Sequence, residues 1–358
     1  MIKKKVAIIG IVGVPAKYGG FETLAENLIK ELNSEYDFTV FCSASFYPKK
    51  TKTYYNSNLI YLPFNANGKS SIIYDTLAIL YSLFFADVLL ILGVSAAFLI
   101  PVVKLISSKK VITNIDGLEW KRDKWGRFAK KYLEKQEKIA VKYSDVIITD
   151  NTEIQHYVLK RYSKKSIMIA YGGNQASKEI LTKKTKKQHK LPDSYAFTVC
   201  RIEPENNIHL ILEAFSQVDF NLVIIGNWGS SEYGMGLKNE YKTKKNITLL
   251  DAIYDQNILD QIRSNCTVYI HGHSAGGTNP SLVEAMWLGL PIFAYGVLYN
   301  KYSTNNMAAY FDSVNELVNL INTMDDSKLS VISNILKNIA IENYQWEIIA
   351  KKYSQCLA

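Results

Sequence analysis

The feature that most constrains this chain is an alternation of short, nearly uncharged apolar runs with longer stretches of helical spacing. In the first half the short runs are Val6–Gly10, Phe38–Cys42, Leu59–Leu62, Val88–Leu92, Val111–Thr113, Val146–Thr149 and Ser166–Ala170. Helical patterns separate them at Phe21–Asn33, Ile72–Phe85, Ala96–Ile106, Lys124–Lys142 and Glu153–Tyr162. The same alternation restarts at Ala196–Cys200 and runs through Leu222–Gly226, Ile247–Leu250, Val268–Ile270 and Ile292–Ala294. Helices are expected there near Asn206–Gln217, Asp255–Ser264 and Ser281–Leu288, and three more close the chain, the last carrying Trp346. Such a pattern specifies repeated strand–helix–strand units on a parallel sheet.

Two series imply two domains, in keeping with 358 residues at ~150 per domain. The stretch between them, around Gly172–Pro192, holds Lys178, Lys183, Lys184, Lys186, Lys187 and Lys190 with few apolar residues and reads as a linker. The expected organisation is a first domain over residues 1–172, a basic linker over 173–192, a second domain over 193–340 and a final helix over 341–358. The fold class is α/β, two Rossmann-like doubly wound parallel sheets facing across a cleft. Ligands of such sheets bind beyond the carboxyl ends of the strands, where the strand order reverses.

Charge is uneven. Residues 1–200 carry 31 Lys and Arg against 17 Asp and Glu, whereas residues 201–358 carry 11 against 16. A basic first half faces something anionic, a nucleic acid or a lipid surface. Only five of the 42 basic residues are Arg, and no zinc-finger, homeodomain or RNA-binding pattern is present, so nucleic acid is the weaker choice. The apolar run Val88–Val103 has 16 residues and is broken by Gly93 and Pro101; as a helix it reaches ~24 Å, short of the ~30 Å hydrocarbon core. The opening Met1-Ile2-Lys3-Lys4-Lys5 has no secretory pattern. Cys42, Cys200, Cys266 and Cys356 show no CxxC spacing, and the first three, in apolar strand-like runs, read as buried thiols of a reducing cytoplasm. Cys266, His271 and His273 fit no usual zinc spacing, so no metal is expected.

Four segments can carry chemistry. The first, GIVGVPAKYGGFETLAENL from Gly10, places Gly19-Gly20 where a helix begins; it is either a ligand approach or a plain glycine-rich junction, and it lacks the dinucleotide fingerprint GxGxxG. The second, HGHSAGGTNPSLVEAMWLGLPIFAYG from His271, combines Gly276-Gly277-Thr278 with Asn279 as helix cap and Pro280 at the first helical position, an anion seat suited to a diphosphate. Glu284 follows about a turn later, as an acceptor for ribose hydroxyls or simply a favourable acid near a helix start. The third, VCRIEPENNIHLILEAF, puts Arg201 directly after a strand, as a phosphate clamp or as a surface partner of Glu203 or Glu205. The fourth, NIDGLEWKRDKWGRFAKKYLEKQEKIAVK, sets Asp116, Glu119, Lys121 and Arg122 in a loop before a helix. One stripe of that helix would hold Trp125, Phe128, Tyr132, Leu133, Ile139 and Ala140, and the other Lys124, Arg127, Lys130, Lys131, Lys135, Lys138 and Lys142. A helix of this kind lies on an anionic membrane or is simply solvated on its basic face.

Taken in order, these segments resemble the GT-B glycosyltransferases of retaining family 4 over essentially the whole chain. VPAKYGGFETLAENL, NIDGLEWKRDKW, CRIEPENNIHLILEAF and GGTNPSLVEAM resemble more narrowly the bacterial rhamnosyltransferase-like branch that builds capsular and cell-wall polysaccharides. The resemblance implies a first domain on the acceptor side, a second that binds a nucleotide-sugar, and a last helix that crosses back to the first domain. It implies donor binding by Gly19, Gly20, Arg201, Asn206, Gly276, Gly277, Thr278, Asn279, Ser281 and Glu284, with Arg201, Glu284 and Asp116 as catalytic residues. Tyr18, Glu22, Asp116, Glu119 and Arg122 fall on the acceptor side. Three positions depart from the family pattern: Gly276 stands where a first donor-site glutamate is usual, Asn206 where a lysine is, and Asn114–Gly117 where a histidine often follows the strand. Asp116 is the candidate for that displaced role, and the Gly276–Asn279 amides for the sugar and phosphate contacts.

The implied activity is transfer of L-rhamnose from dTDP-L-rhamnose, with retention, to a polyprenyl-linked saccharide in capsule, O-antigen or cell-wall synthesis. The implied place is the cytoplasm, on the anionic inner face of the plasma membrane, with no nucleic acid and no cofactor. The alternatives are the same fold using UDP-glucose, UDP-galactose or GDP-mannose, or a non-catalytic binding subunit of a transferase complex.

Overall fold

A computed structural model describes residues 3–17, 19–115, 117–122 and 125–358. The chain divides into two compact units, Met1–Tyr171 with Trp346–Ala358, and Gly172–Gln345.

The first unit is built on eight strands: β1 (Lys4–Ile9), β2 (Tyr36–Ser43), β3 (Thr53–Tyr54), β4 (Ser57–Leu62), β5 (Val88–Leu92), β6 (Lys110–Ile115), β7 (Val146–Thr149) and β8 (Ile167–Met168). They lie in the order β3-β4-β2-β1-β5-β6-β7-β8, all parallel except β3. The sheet is covered on both faces, so its central strands are largely buried; VLLIL of β5 is buried at every position. The helices between strands are α1 (Gly20–Leu32), α2 (Ser71–Ser82), α3 (Ile100–Ile106), α4 (Arg127–Tyr143) and α5 (Thr152–Tyr162). On α1 the residues Leu24, Ala25, Leu28, Ile29 and Leu32 recur at helical spacing and are all buried. The strand β3 escapes sequence reading. Its hairpin turns on Tyr55 and Asn56, both left-handed, with none of the usual Asn-Gly signal.

The second unit begins with α6 (Lys183–His189) and carries six parallel strands: β9 (Ala196–Val199), β10 (Leu222–Ile225), β11 (Ile247–Leu250), β12 (Val268–His271), β13 (Ile292–Tyr295) and β14 (Ala309–Phe311). Their order is β11-β10-β9-β12-β13-β14. The intervening helices are α7 (Ile208–Phe215), α8 (Glu232–Tyr241), α9 (Gln256–Ser264), α10 (Pro280–Trp287) and α11 (Leu298–Ser303), followed by α12 (Val314–Asn322) and α13 (Asp326–Asn343). Phe215, Trp228, Phe293 and Phe311 sit in the core cluster of this unit. Side-chain caps start the helices: Thr182 for α6, Ser231 for α8, Asp255 for α9, Asn279 for α10 and Ser313 for α12. Residues of the lysine-rich stretch are bound to α9, since the Ser177 amide donates to Asp260 and the Thr182 amide to Gln261.

The last helix, α14 (Trp346–Leu357), packs on α1 of the first unit. Tyr353 is fully buried and its hydroxyl accepts from Asn114 Nδ2 at 2.6 Å, while the Tyr36 hydroxyl donates to the Ser354 carbonyl at 3.0 Å. Among the described residues no helix is long and apolar enough to cross a membrane.

The expected stripe on α4 differs from the observed one. The buried residues are Gln136, Glu137, Ala140 and Val141, whereas Phe128 is 90% exposed. Polar groups win that face because Glu137 accepts from Tyr157 and Tyr162 at 2.7 and 2.6 Å and from Trp120 Nε1 at 3.1 Å, so the buried carboxylate is satisfied.

Candidate functional site

In the second unit the strand order reverses between β9 and β12: connections from β9 run outward on one side, those from β12 on the other. The two loops leaving the carboxyl ends of these neighbouring strands diverge there and leave the crevice in which doubly wound sheets bind ligands. One loop starts with Cys200-Arg201. The other runs from His271 to Asn279.

Hydrogen bonds stitch these loops together. Asn206 Oδ1 meets His273 Nδ1 at 2.8 Å, Asn207 Nδ2 donates to the Gly272 carbonyl at 2.8 Å, and the Ser274 amide donates to the Glu205 carbonyl at 2.8 Å. Gly272 permits the approach, since a Cβ there would lie 2.2 Å from the Asn206 carbonyl oxygen. Asn206 itself is buried, and its Nδ2 donates to the Arg201 carbonyl at 2.8 Å. Its side chain therefore braces the loop from inside. His271 is buried beneath the same loop, and burial pushes its pKa down to about 3, so the ring is neutral.

Arg201 is 45% exposed, and its ion pair with Glu203 is long at 3.8 Å. A pair so exposed contributes little, so the guanidinium can engage a ligand without disrupting the fold. In the facing loop Asn279 caps α10: its Oδ1 accepts from the Ser281 amide at 3.0 Å and from the Ser281 hydroxyl at 2.8 Å, and Tyr269 donates to Ser281 Oγ at 3.0 Å. Pro280 occupies the opening of the helix, as its fixed φ favours. Thr278 is buried beside the cap. Gly276 adopts φ +109°, a backbone state that side chains rarely take. A glutamate at 276 would be strained in this loop conformation.

Glu284 lies in the second turn of α10. Its carboxylate receives the Arg263 guanidinium and the Gln175 amide, yet the side chain keeps 17% of its surface accessible. Arg263 is fully buried and is bound on its other arm by Asp260 at 2.6 Å. Burial opposes the charge on Arg263, but Glu284 and then Asp260 outweigh it and hold the group cationic. Sequence reading passed over Arg263, Asp260 and Gln175. The available signal was arginine rarity, for a chain rich in lysine had placed one of five arginines on an apolar-flanked helix.

In the first unit Gly19 precedes α1 and Gly20 opens it. Glu22 is buried and accepts from the Val12 amide at 2.7 Å; one turn on, Glu26 accepts from the Ala16 amide at 2.8 Å. These carboxylates hold the loop after β1 against α1. Glu119 and Arg122 pair with one another at 2.9 Å, and Trp125 Nε1 donates to Glu119 at 3.0 Å. Tyr18 and Asp116 lie outside the described residues.

Residues 3–174 match a family described as Domain of unknown function (DUF1972), and residues 179–306 match Glycosyl transferases group 1. No curated protein matches the chain in sequence. Among solved structures, sucrose-phosphate synthase from Thermosynechococcus elongatus is similar at 15% identity and TM-score 0.79, covering 99% of this chain and 98% of that one. Anabaena Alr3699/HepE, solved with UDP and glucose, gives 14% identity and TM-score 0.76 over 99% of both chains. The catalytic domain of starch synthase IV from Arabidopsis thaliana, bound to ADP and acarbose, gives 13% and 0.69 over 99% and 98%. The two parallel-sheet α/β units are those of the GT-B fold, and residues 179–306 of the second unit are those that match the glycosyl transferases of group 1.

Proposed function

We propose that the enzyme transfers L-rhamnose from dTDP-L-rhamnose, with retention, to a polyprenyl-linked saccharide on the inner face of a bacterial plasma membrane. One observation carries the donor site: the loop bearing Arg201 and the loop that opens α10 are bound to each other at the strand-order reversal. A leaving nucleoside diphosphate carries two negative charges, and catalysis requires fixed positive potential where they develop. Arg201 supplies a planar, permanently charged fork. The opening of α10 adds the positive end of a helix dipole rather than free amides, since Pro280 has no N–H and Asn279 already accepts from the Ser281 and Leu282 amides.

Glu284, aligned by Arg263 and Gln175, accepts hydrogen bonds from the ribose of the nucleoside. The amides of Gly276–Asn279 take the phosphate and sugar contacts that a glutamate makes elsewhere in the family. Asp116 and Glu119 orient the acceptor or the reacting sugar, the motif resemblance assigns Tyr18, Glu22 and Arg122 to the same acceptor side, and Gly19-Gly20 allow close approach. The new glycosidic bond forms on the face from which the diphosphate departs, so dTDP-β-L-rhamnose yields a β-L-rhamnoside.

The rhamnosyl donor rests on the motif resemblance. UDP-glucose is the second reading, favoured by the likeness to a protein solved with that donor. A panel of nucleotide-sugars scored by released nucleotide separates them. Release of dTDP supports the rhamnosyl assignment, and hydrolysis of UDP-hexoses without dTDP release overturns it.

A further inference from the structure

The first unit carries apolar side chains on the wrong side of its helices. On α2 the buried positions are Tyr74, Asp75, Ala78, Ile79 and Ser82, which face the sheet. The opposite side shows Ile73, Leu77, Leu80, Tyr81 and Phe84, spaced at helical intervals and all exposed, with Phe84 at 87%. The next segment repeats the arrangement: Phe98, Val102, Leu105 and Ile106 are exposed, Leu105 at 86%. These helices share one face of the sheet. The connections β4–α2–β5, β5–α3–β6 and β6–α4–β7 all advance in the same direction across it, and parallel crossovers have one hand. Their junction is bonded, since Ser95 donates to Asp75 of α2 while Tyr132 of α4 donates to the Ser95 carbonyl.

Charge selects the occupant. Between residues 68 and 110 the only acids are Asp75, which is buried, and Asp87, which accepts from the Lys5 amide; the cations are Lys69, Lys109 and Lys110, together with Lys104, which pairs with Asp145 at 2.8 Å. Adjoining α3, helix α4 adds exposed Lys131, Lys135, Lys138 and Lys142. An apolar stripe with a basic border matches the headgroup region of a membrane containing anionic lipid, where apolar groups sink and lysines stay at the surface. A protein partner would instead be expected to meet acidic as well as basic residues around the patch.

We propose that the outward face of α2 and α3, bordered by the lysines of α4, docks on an anionic lipid bilayer. The lipid-linked acceptor proposed above gives the docking its purpose, but the surface argument stands without it. The test is sedimentation of the full-length chain with sucrose-loaded vesicles of phosphatidylglycerol and phosphatidylcholine, or of phosphatidylcholine alone, without any donor. Binding is expected to need phosphatidylglycerol, to weaken as salt rises, and to fall at least about tenfold in the variant Phe84→Ser/Leu105→Ser. A second variant, Lys131→Glu/Lys135→Glu/Lys138→Glu, loses the same binding without touching the stripe. Nucleotide release measured on the same samples reads the donor chemistry separately and stays at the wild-type level in both variants. The proposal is overturned if the wild type ignores vesicles or if the Phe84/Leu105 variant binds them unchanged. It is equally overturned if that variant turns a wild-type dimer into a monomer in light scattering, which would make the face a contact between copies.

Discussion

An arginine with one distant partner and an arginine held by two close ones serve different ends. Arg201 can be removed at little structural cost, because its pair with Glu203 is long and solvated. Arg201→Ala is expected to leave the melting temperature unchanged and to lower donor turnover by roughly 10²–10³, the usual effect of deleting one fixed charge stabiliser. Arg263 is the reverse case. Glu284→Ala leaves the buried guanidinium with Asp260 as its remaining carboxylate partner and is expected to cost up to about 3 kcal/mol in urea unfolding. Replacing Arg263, Asp260 and Glu284 together by apolar residues should recover most of that loss, and an equal loss in the triple variant would contradict the ion-pair account. Asp75 adds a pH effect. Burial raises its pKa from 3.8 to about 7, against the opposing hydrogen bond from Ser95. The folded state then binds more protons than the unfolded one between those values, so this group lowers stability as pH climbs from ~4 towards 7. Asp75→Asn should therefore raise the melting temperature by several degrees at pH 8 and hardly at all at pH 4. Of these residues Arg201 was legible, since it follows an apolar run directly. Arg263 was not, because its partner Glu284 lies 21 positions away on another helix.

Elements follow the same logic of near and far. The start of α10 was readable because cap chemistry is local: Asn279, Pro280 and Ser281 specify it within three residues. The brace between the two loops was not readable, since Asn206 and His273 are 67 residues apart. Gly272 is where the brace can be tested. Gly272→Ala forces a Cβ against the Asn206 carbonyl, and it is expected to cost about 1–3 kcal/mol and to lower donor turnover beyond that of an Ala substitution on an exposed helix. Unchanged turnover would separate the loop geometry from catalysis. Short elements were lost for lack of pattern: β3 has only two residues, and α8 combines Gly234 and Gly236 with little apolar periodicity. The stripe expected on α4 failed for a different reason, as three aromatic donors make Glu137 a favourable buried residue.

For the whole molecule, strand alternation alone was enough to specify two parallel-sheet α/β units, while the GT-B class came from the resemblance of the four motifs. The reason is physical: apolar strands covered on both faces admit few other architectures. Charge was legible in amount but not in place, because only the folded chain separates the outward stripe of α2 and α3 from the buried one. Donor identity lies beyond what strand order and capping decide. The direct measurement of the central claim is nucleotide release by the purified enzyme and its Arg201→Ala variant across dTDP-, UDP- and GDP-sugars. The account predicts turnover of dTDP-L-rhamnose by the wild type and its near loss in a variant that is folded and equally stable. A variant that turns over the donor at the wild-type rate would contradict the assignment of Arg201 as the group that receives the departing diphosphate.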